Sequence, residues 1–242
     1  MATAEPARVA VSLDGPRHRT RLRSGLLRPQ QVHGPVDRCR IGLLATTALL
    51  LGGDVVELDV EVGPGATLEL FDVAGTVAYD GRGRPARWDV RVRVGEGGRL
   101  RWSGAPFVVG DGTDVTRTVR LDLAVEARAL IRETLVLGRA GQTGGRVRSR
   151  TEVTRAGAPV LVEDLDLDPA RHRRLPGMLG PWRVLDSVLA LGAPLPAASG
   201  EDLVRFALPE PGSVLLRHLG TELDRSPVHR AWAAAALDAD NE

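Results

Sequence analysis

The sequence has no lysine and a single cysteine, Cys39. One cysteine excludes an intrachain disulfide, and its scarcity favours a reducing compartment. A lone cysteine is far more often a small buried hydrophobe than a nucleophile, so we expect Cys39 to lie in the core. No histidine stands within four residues of another, and this spacing excludes a tight structural zinc site.

Long apolar segments are also missing. The most apolar run, residues 41–53, is too short to span a bilayer and carries two threonines. The first 15 residues lack the charged-then-apolar order of a signal peptide. The sequence therefore predicts a soluble, cytoplasmic protein without a membrane partner.

Aromatic residues make up only 3% of the chain, so the core must consist mainly of Val, Leu and Ala. The scarcity of rings also argues against a glycan-binding module. The net charge of +1 gives no general attraction to nucleic acid or to an anionic membrane. The charge is uneven, however, because residues 1–50 hold eight arginines against Glu5, Asp14 and Asp37.

The clearest pattern is a repeated strand and turn. Residues 52–70 alternate apolar and acidic side chains, which is typical of strands with one buried face. Pro64 and Gly65 divide the segment and fit the central positions of a type II turn. The pattern returns at 92–102, at 123–133 and, more loosely, at 152–164. The first two intervals are 32 and 31 residues, and such a recurring hairpin predicts stacked β-units, either β-helix-like or a two-sheet body.

The composition changes near residue 169, where Pro and Gly mark a loop. Residues 182–192 place three apolar side chains on one helical face and therefore predict a helix. Residues 212–220 predict a further strand, and 221–239 predict a C-terminal helix that begins at Pro227 at the latest.

We therefore expect a mainly β fold with about two C-terminal α-helices. No low-complexity linker divides the chain, so 1–242 is predicted to be one domain. Its β-rich body would cover about 8–168, and its helix-containing part about 169–240.

No familiar catalytic motif is present. The sequence has neither a Gly-x-Ser-x-Gly elbow nor a Walker loop. The Gly-rich segment at 63–66 precedes a strand, whereas a phosphate-binding loop requires a helix N-terminus. The sequence is not visibly that of an enzyme.

Acidic residues crowd the segment that contains Glu163, Asp164, Asp166 and Asp168. On a strand the three aspartates would face one way, where carboxylates can escort a labile divalent cation. A solvent-exposed strand face or a charge-guarded edge is the simpler explanation. Glu133 lies among apolar residues of another strand, so it must be either paired with an arginine or functional, because a buried unpaired carboxylate is costly.

Three stretches form an ordered set. Residues 49–79 read LLLGGDVVELDVEVGPGATLELFDVAGTVAY, residues 133–139 read ETLVLGR, and residues 229–237 read HRAWAAAAL. In this order and spacing, over about 15–237, the chain resembles the UreD family of urease accessory proteins, also called UreH.

The resemblance implies a non-enzymatic chaperone that assists nickel insertion into apo-urease. It implies a complex with UreF and the GTPase UreG that docks on the urease apoprotein, and it allows a dimer of such complexes. It also implies a β-rich stack of strands with two helices and a water-filled interior. Nickel would be in transit, with no tightly bound cofactor.

Weak oxygen ligands suit such transit, because they release a cation more easily than a Cys/His cage does. The resemblance and the acidic strand together make Asp54, Glu133, Glu163 and Asp164 candidates for the nickel path.

The partner surface is predicted in the C-terminal third. Packing within the chain does not obviously require all the apolar residues of the predicted faces at 182–191 and 229–237. The candidate contact residues are Trp182, Leu185, Leu189 and Trp232.

Two other functions remain open from the sequence. One is a β-solenoid or sandwich module that binds a small molecule and has no metal role. The other is an enzyme that uses Asp164, Asp166 or Glu133 as acid or base. A deep cleft holding two carboxylates with opposite pKa shifts would favour the enzyme.

Overall fold

Two β-sheets that face each other form most of the protein. The structure, a computed structural model, describes residues 5–197, 200 and 203–238. In chain order the strands are β1 (Ala7–Asp14), β2 (Arg17–Arg23), β3 (Leu27–Val32), β4 (Cys39–Ala45), β5 (Val55–Val62), β6 (Thr67–Asp72), β7 (Thr76–Ala78), β8 (Ala86–Val94), β9 (Arg99–Ser103), β10 (Phe107–Val109), β11 (Asp114–Leu123), β12 (Arg128–Leu137), β13 (Arg146–Arg155), β14 (Ala158–Leu167), β15 (Val184–Leu191), β16 (Leu203–Ala207) and β17 (Val214–Gly220).

Sheet A has the order β14-β13-β11-β8-β5-β1-β2. Sheet B has the order β16-β17-β15-β12-β9-β6-β4-β3, and the short strands β7 and β10 pair beside β12. The centre of each sheet is parallel: β5, β8, β11 and β13 in sheet A, and β4, β6, β9 and β12 in sheet B. The chain thus winds as stacked coils, each with one strand in either sheet, and the mainly β, stacked fold is confirmed.

The repeated units differ from the expected hairpins in one respect. β5 and β6 lie in opposite sheets, as do β8 and β9, so the turn between them crosses from sheet A to sheet B. β13 and β14 do form a true antiparallel hairpin. Its turn residues Ala156 and Gly157 have φ of 48° and 81°, as a tight hairpin turn requires.

The interval between the second and third units is also shorter than the sequence pattern suggested. Val62 pairs with Val94, and Val94 pairs with Leu123, so the second interval is 29 residues and not 31. A shift of two residues keeps every side chain on its face of the sheet, because the side-chain period of a strand is two. Alternation alone could not detect this error.

The turns that join the sheets stack into a column. At the first, the Ala66 amide donates to the Gly63 carbonyl at 3.1 Å, and Gly65 has a φ of 65°. This positive φ is what a type II turn requires at that position. The Gly65 amide donates to the Glu96 carbonyl of the next turn at 2.9 Å, so the hydrogen bonds of the stack continue through the column.

The main core lies between the sheets and consists of their inward-facing Val, Leu and Ala side chains. Cys39 belongs to this core, and burial raises the pKa of its thiol to about 11. The few aromatic residues cluster: the Trp88 and Phe107 rings meet edge to face, with centroids 5.8 Å apart.

The helix predicted over 182–192 is wrong, because residues 184–191 form β15, which pairs with β12 and β17. Seven of its eight residues are buried; Val188 and Ala190 face one core and Leu189 and Leu191 the other. A strand buried on both faces reads as a continuous apolar run, and its periodicity cannot be told from that of a helix.

The structure has two α-helices within the described residues: α1 (Pro169–His172) and α2 (Val228–Asp238). The strand predicted at 212–220 is confirmed as β17, and the C-terminal helix begins just after Pro227. α2 packs on the outer face of sheet B, where Val228, Ala231 and Trp232 form a second core with residues of β12, β15 and β17. No helix in the described part of the chain is long and apolar enough to cross a membrane.

Candidate functional site

A cavity of about 80 Å³ lies between the two sheets. Much of its lining is apolar, but three acidic residues and three arginines also border it: Asp72, Glu133, Glu163, Arg117, Arg132 and Arg217. A single water needs only about 10–15 Å³, so the cavity can hold several.

Glu133 reaches the cavity because it follows the inward alternation of Ala129 and Ile131 along β12. Its carboxylate forms an ion pair with Arg117 of β11, which is almost fully buried. The Arg117 guanidinium also lies over the Phe107 ring, 4.4 Å from the centroid. Within the described residues the Nε and Nη1 groups of Arg117 have no hydrogen-bond partner, so water in the cavity is expected to bind them.

Glu163 is held by two hydrogen bonds. Arg217 Nη1 and Nη2 donate to its two carboxylate oxygens at 2.6 and 2.8 Å, and Arg217 Nε donates to Ser187 Oγ at 3.0 Å. Glu163 belongs to sheet A and Arg217 to sheet B, so this pair bridges the sheets. Both side chains are mostly buried.

Asp72 is the carboxylate that sequence reasoning missed. Its Oδ2 accepts a hydrogen bond from the Ala105 amide at 3.1 Å, and its Oδ1 accepts one from Trp102 Nε1 at 3.4 Å. Burial raises the pKa of Asp72 to about 6. The signal was present in the sequence, because Asp72 continues the inward alternation of Leu68 and Leu70.

A second hollow of about 310 Å³ adjoins the first. Asp72, Thr76 and Trp88 border both, so these side chains form the wall between them. The second hollow is lined mainly by apolar residues of β4, of the 47–49 segment and of the 73–79 segment.

The other two nickel-path candidates lie away from the cavity. Asp54 sits in the turn before β5, where its Oδ2 accepts a hydrogen bond from the Leu51 amide at 3.0 Å. Asp164 is exposed on the outer face of β14 and binds Arg150 at 3.0 Å. Of the four candidates, the structure brings only Glu133 and Glu163 to one cavity.

The remaining aspartates of the acidic segment have structural contacts. Asp166 is exposed and pairs with Arg146, and the hydrogen bond from that guanidinium lowers the pKa of Asp166. Asp168 caps α1, where its Oδ1 accepts a hydrogen bond from the Arg171 amide at 3.3 Å. The simpler explanation of this segment, a charged outer strand face, is the better one.

No group of three or more His, Cys, Asp or Glu side chains in the described residues is arranged to hold a metal ion. The cavity carboxylates are instead paired with arginines or with backbone and indole N–H groups. The arrangement therefore lacks a preformed multidentate metal site within the described residues.

The predicted partner-contact residues are largely internal. Leu185 and Leu189 face the space between the sheets, and Trp182 packs against the same core. Trp232 belongs to α2 and is buried between that helix and sheet B, with the Arg101 guanidinium 4.7 Å from its ring centroid. The reason given for a partner surface there was wrong, since these side chains have partners within the chain. Their contact with another protein stays a prediction.

A buried polar network on the outer side of sheet B was also missed. The Asp186 carboxylate is fully buried and accepts hydrogen bonds from Arg132 at 2.9 and 3.2 Å, from Thr134 Oγ1 at 2.9 Å and from Ser226 Oγ at 2.6 Å. Ser226 lies two residues before the first residue of α2, so the network anchors the start of that helix to β12 and β15. The residues of this network are so far apart in the sequence that no sequence pattern indicates the network.

Comparisons with known proteins agree on one family. The family model described as UreD urease accessory protein matches residues 8–239. The chain is 50% identical over 191 residues to urease accessory protein UreD 1 of Streptomyces griseus, a match that covers 78% of this chain and 75% of the relative. It is 36% identical over 202 residues to urease accessory protein UreD of Frankia alni, a match that covers 74% of this chain and 68% of the relative. A match over nearly the whole chain shows more than a shared motif. The chain belongs to the UreD family of urease accessory proteins.

Proposed function

We propose that this protein is a non-enzymatic chaperone of urease maturation in the cytoplasm. It assists nickel insertion into apo-urease as part of a complex with UreF and the GTPase UreG. Membership of the UreD family supports the role in urease maturation. The observation that supports nickel transit is the interior cavity bordered by Asp72, Glu133 and Glu163.

The pairing of these carboxylates suits transit. Carboxylate oxygens bind labile divalent cations, but here Arg117 holds Glu133 and Arg217 holds Glu163. A passing cation must displace a guanidinium, which returns when the cation leaves. The arginines therefore balance the charges of the two glutamates and oppose trapping of the ion.

Asp72 connects the central cavity to the second hollow and so indicates where the proposed path continues. It borders both hollows, so a cation that leaves the central cavity past this carboxylate enters the second hollow. The Trp102 and Ala105 N–H groups that bind Asp72 donate only, and the carboxylate retains further lone pairs for a cation.

The partner surface is proposed to lie on the C-terminal third, at the apolar side chains that the chain leaves exposed there. These are Leu175, Met178, Val204 and Phe206, with exposures of 42%, 55%, 49% and 46%. Isolated apolar side chains are common on surfaces, but Val204 and Phe206 are alternate residues of β16 and so lie on one face of that edge strand, which suits a protein contact. UreF is the partner that we assign to it.

The test measures nickel per urease active site by atomic absorption after maturation with the variant Glu133→Gln/Glu163→Gln. Both substitutions keep the side-chain shape and remove the charge. We expect lower nickel occupancy while a pull-down recovers the complex with UreF and UreG intact.

The matched control is Asp164→Asn/Asp166→Asn, which removes two carboxylates from the outer face of the same strand region. The control is expected to retain full occupancy. Full occupancy with the cavity variant would remove the transit role, and loss of the complex would show that the two glutamates are structural.

A further inference from the structure

β2 carries a column of arginines on an open sheet edge. It is the last strand of sheet A and, among the described strands, pairs with β1 alone. Its sequence is RHRTRLR, so Arg17, Arg19, Arg21 and Arg23 project from one face. Alternate side chains of a strand are about 6.6 Å apart, so the four guanidinium groups form a regular row.

The other face of β2 fixes the strand in place. His18 Nε2 accepts a hydrogen bond from the Thr67 amide at 3.2 Å, and Thr20 Oγ1 donates to Gln31 Oε1 at 2.9 Å. β2 is thereby tied to β6 and β3 of sheet B. The arginine row is consequently presented on an anchored strand.

The positive charge of the row is not neutralised within the described residues. Arg17 and Arg21 have no hydrogen-bond or ion-pair partner there. Arg23 pairs with Glu5 at 3.2 Å, and Arg19 pairs with Asp14, but all four side chains of these two pairs are about half exposed or more. Exposed pairs contribute little to stability and exchange easily.

The rest of the same outer face neutralises itself. The acidic column of β5 is met by arginines on both sides: Glu61 binds Arg8 at 2.9 Å, and Asp59 lies 3.7 Å from Arg91. The excess of arginine noted for residues 1–50 is thus concentrated on β2.

We infer that β2 docks an extended acidic segment of a partner protein, which adds to the free edge as a further strand. The unpaired N–H and C=O groups of an edge strand bind such a segment, and alternate side chains give specificity. Glu or Asp at every second position of the segment would face the arginine row at the same spacing.

Two other occupants fit less well. A second copy of β2 would set arginines opposite arginines, so the row opposes self-association. A nucleic acid would supply phosphates, but binding of single strands also uses aromatic side chains for stacking. Neither β1 nor β2 contains a Phe, Tyr or Trp residue, and the net charge of the whole chain is only +1.

The test uses the full chain and a fluorescent, acetylated nine-residue peptide of alternating Glu and Val. We expect saturable binding by fluorescence anisotropy that weakens as salt is raised. Hydrogen exchange of the amides of residues 17–23 should slow when the peptide is bound. Absence of binding would overturn the proposal.

The variants Arg17→Glu/Arg21→Glu and Arg17→Gln/Arg21→Gln separate charge from folding. Reversal of two exposed charges is expected to weaken peptide binding about tenfold or more, and neutralisation to weaken it less. The control Arg174→Glu/Arg230→Glu makes the same change of charge at two exposed arginines elsewhere and should bind as the native chain does. Equal loss in the control would overturn the location on β2.

Two further probes decide the mode and the class of the occupant. A peptide with proline in place of every valine keeps the charge but loses every second backbone N–H and favours the polyproline II conformation over a pleated strand, and its binding at equal affinity would overturn strand addition. A single-stranded oligonucleotide of nine nucleotides that binds more tightly than the peptide would overturn the choice of a protein partner.

Discussion

Arg217 holds Glu163 with two hydrogen bonds, 2.6 and 2.8 Å long, that span the gap between sheet B and sheet A. Arg117 and Glu133 form a second such bridge in the opposite sense, with the arginine on sheet A. The interior of the protein is therefore crossed by two opposed ion pairs. These pairs border the cavity proposed for nickel transit, so stability and function depend on the same residues.

Arg217→Leu is expected to destabilise the protein by about 3 kcal/mol, because it leaves Glu163 mostly buried and unpaired. Urea unfolding measures the loss. The double variant Arg217→Leu/Glu163→Leu is the control and should recover most of the stability, since an apolar pair of similar volume is often neutral. A double variant as unstable as the single one would mean that Arg217 acts mainly through its contact with Ser187.

Gly65→Val is expected to destabilise the protein by about 1–3 kcal/mol, because a β-branched residue is strained at a φ of 65°. Thermal unfolding measures the effect. Glu126, with a φ of 58°, stands at the matching place of the third turn of the column, so Glu126→Gly serves as the control and should cause no loss. An unchanged melting temperature for Gly65→Val would show that the turn can change its type.

Asp72→Asn is expected to alter the pH dependence of stability. The pKa of Asp72 is raised from 3.8 to about 6 in the folded protein, so the folded state binds more protons than the unfolded state between these values. Stability from this group is complete below about pH 3.8 and is lost as the pH rises through 6. The free energy of unfolding of the asparagine variant, relative to that of the native protein, should therefore rise by about 2 kcal/mol between pH 4 and pH 7.

Urea unfolding of both proteins across this range measures the difference. The comparison is made between variant and native chain because other carboxyl groups act in the opposite direction. Hydrogen bonds from Arg150 and Arg120 lower the pKa of Glu152, and one from Arg146 lowers that of Asp166. A difference that is independent of pH would mean that Asp72 is ionised throughout.

Val204→Asp/Phe206→Asp is expected to weaken binding of UreF by at least about tenfold, because it places two charges in the proposed apolar contact. Isothermal titration calorimetry with purified UreF measures the affinity. Val125→Asp, at an exposed valine of the turn column, is the control and should bind normally. Unchanged affinity of the first variant would place the partner surface elsewhere.

The alternating segments allowed the strands and the stacked architecture to be predicted. Val56, Leu58 and Val60 face the core as the pattern indicated, because alternation reports directly on one buried face. Pairing partners could not be predicted in the same way. A hairpin and a turn that crosses between sheets look alike in sequence, since both consist of two alternating runs around small residues.

β15 was mistaken for a helix for a related reason. Its outer face is covered by α2, and α2 lies more than 35 residues further along the chain. Both faces of β15 are buried only in the tertiary structure, so no local pattern in the sequence predicts a strand there. The burial of Val188 and Trp232 follows from the same arrangement.

The candidate site was predicted in part. Glu133 was identified because a carboxylate among apolar residues needs a partner or a function, and Glu163 because it belongs to the acidic strand. Asp72 was overlooked because it ends its strand, where polar residues are ordinary. Asp54 and Asp164 were named for their neighbours in sequence, and the fold directs both away from the interior.

The stacked coils have a consequence for motion. Within the described residues, the central strands of sheets A and B are hydrogen-bonded to the strands of the coils before and after them, as in a one-dimensional array. Opening can therefore spread inward from the two ends, where β2 and β3 lie at one side and β14 and β16 at the other. Amide hydrogens of β8 and β9, in the middle of the stack, would exchange most slowly. The part of the cavity wall formed by β8 and β9 would then stay rigid, while the part that carries Glu163, on the terminal strand β14, would fluctuate.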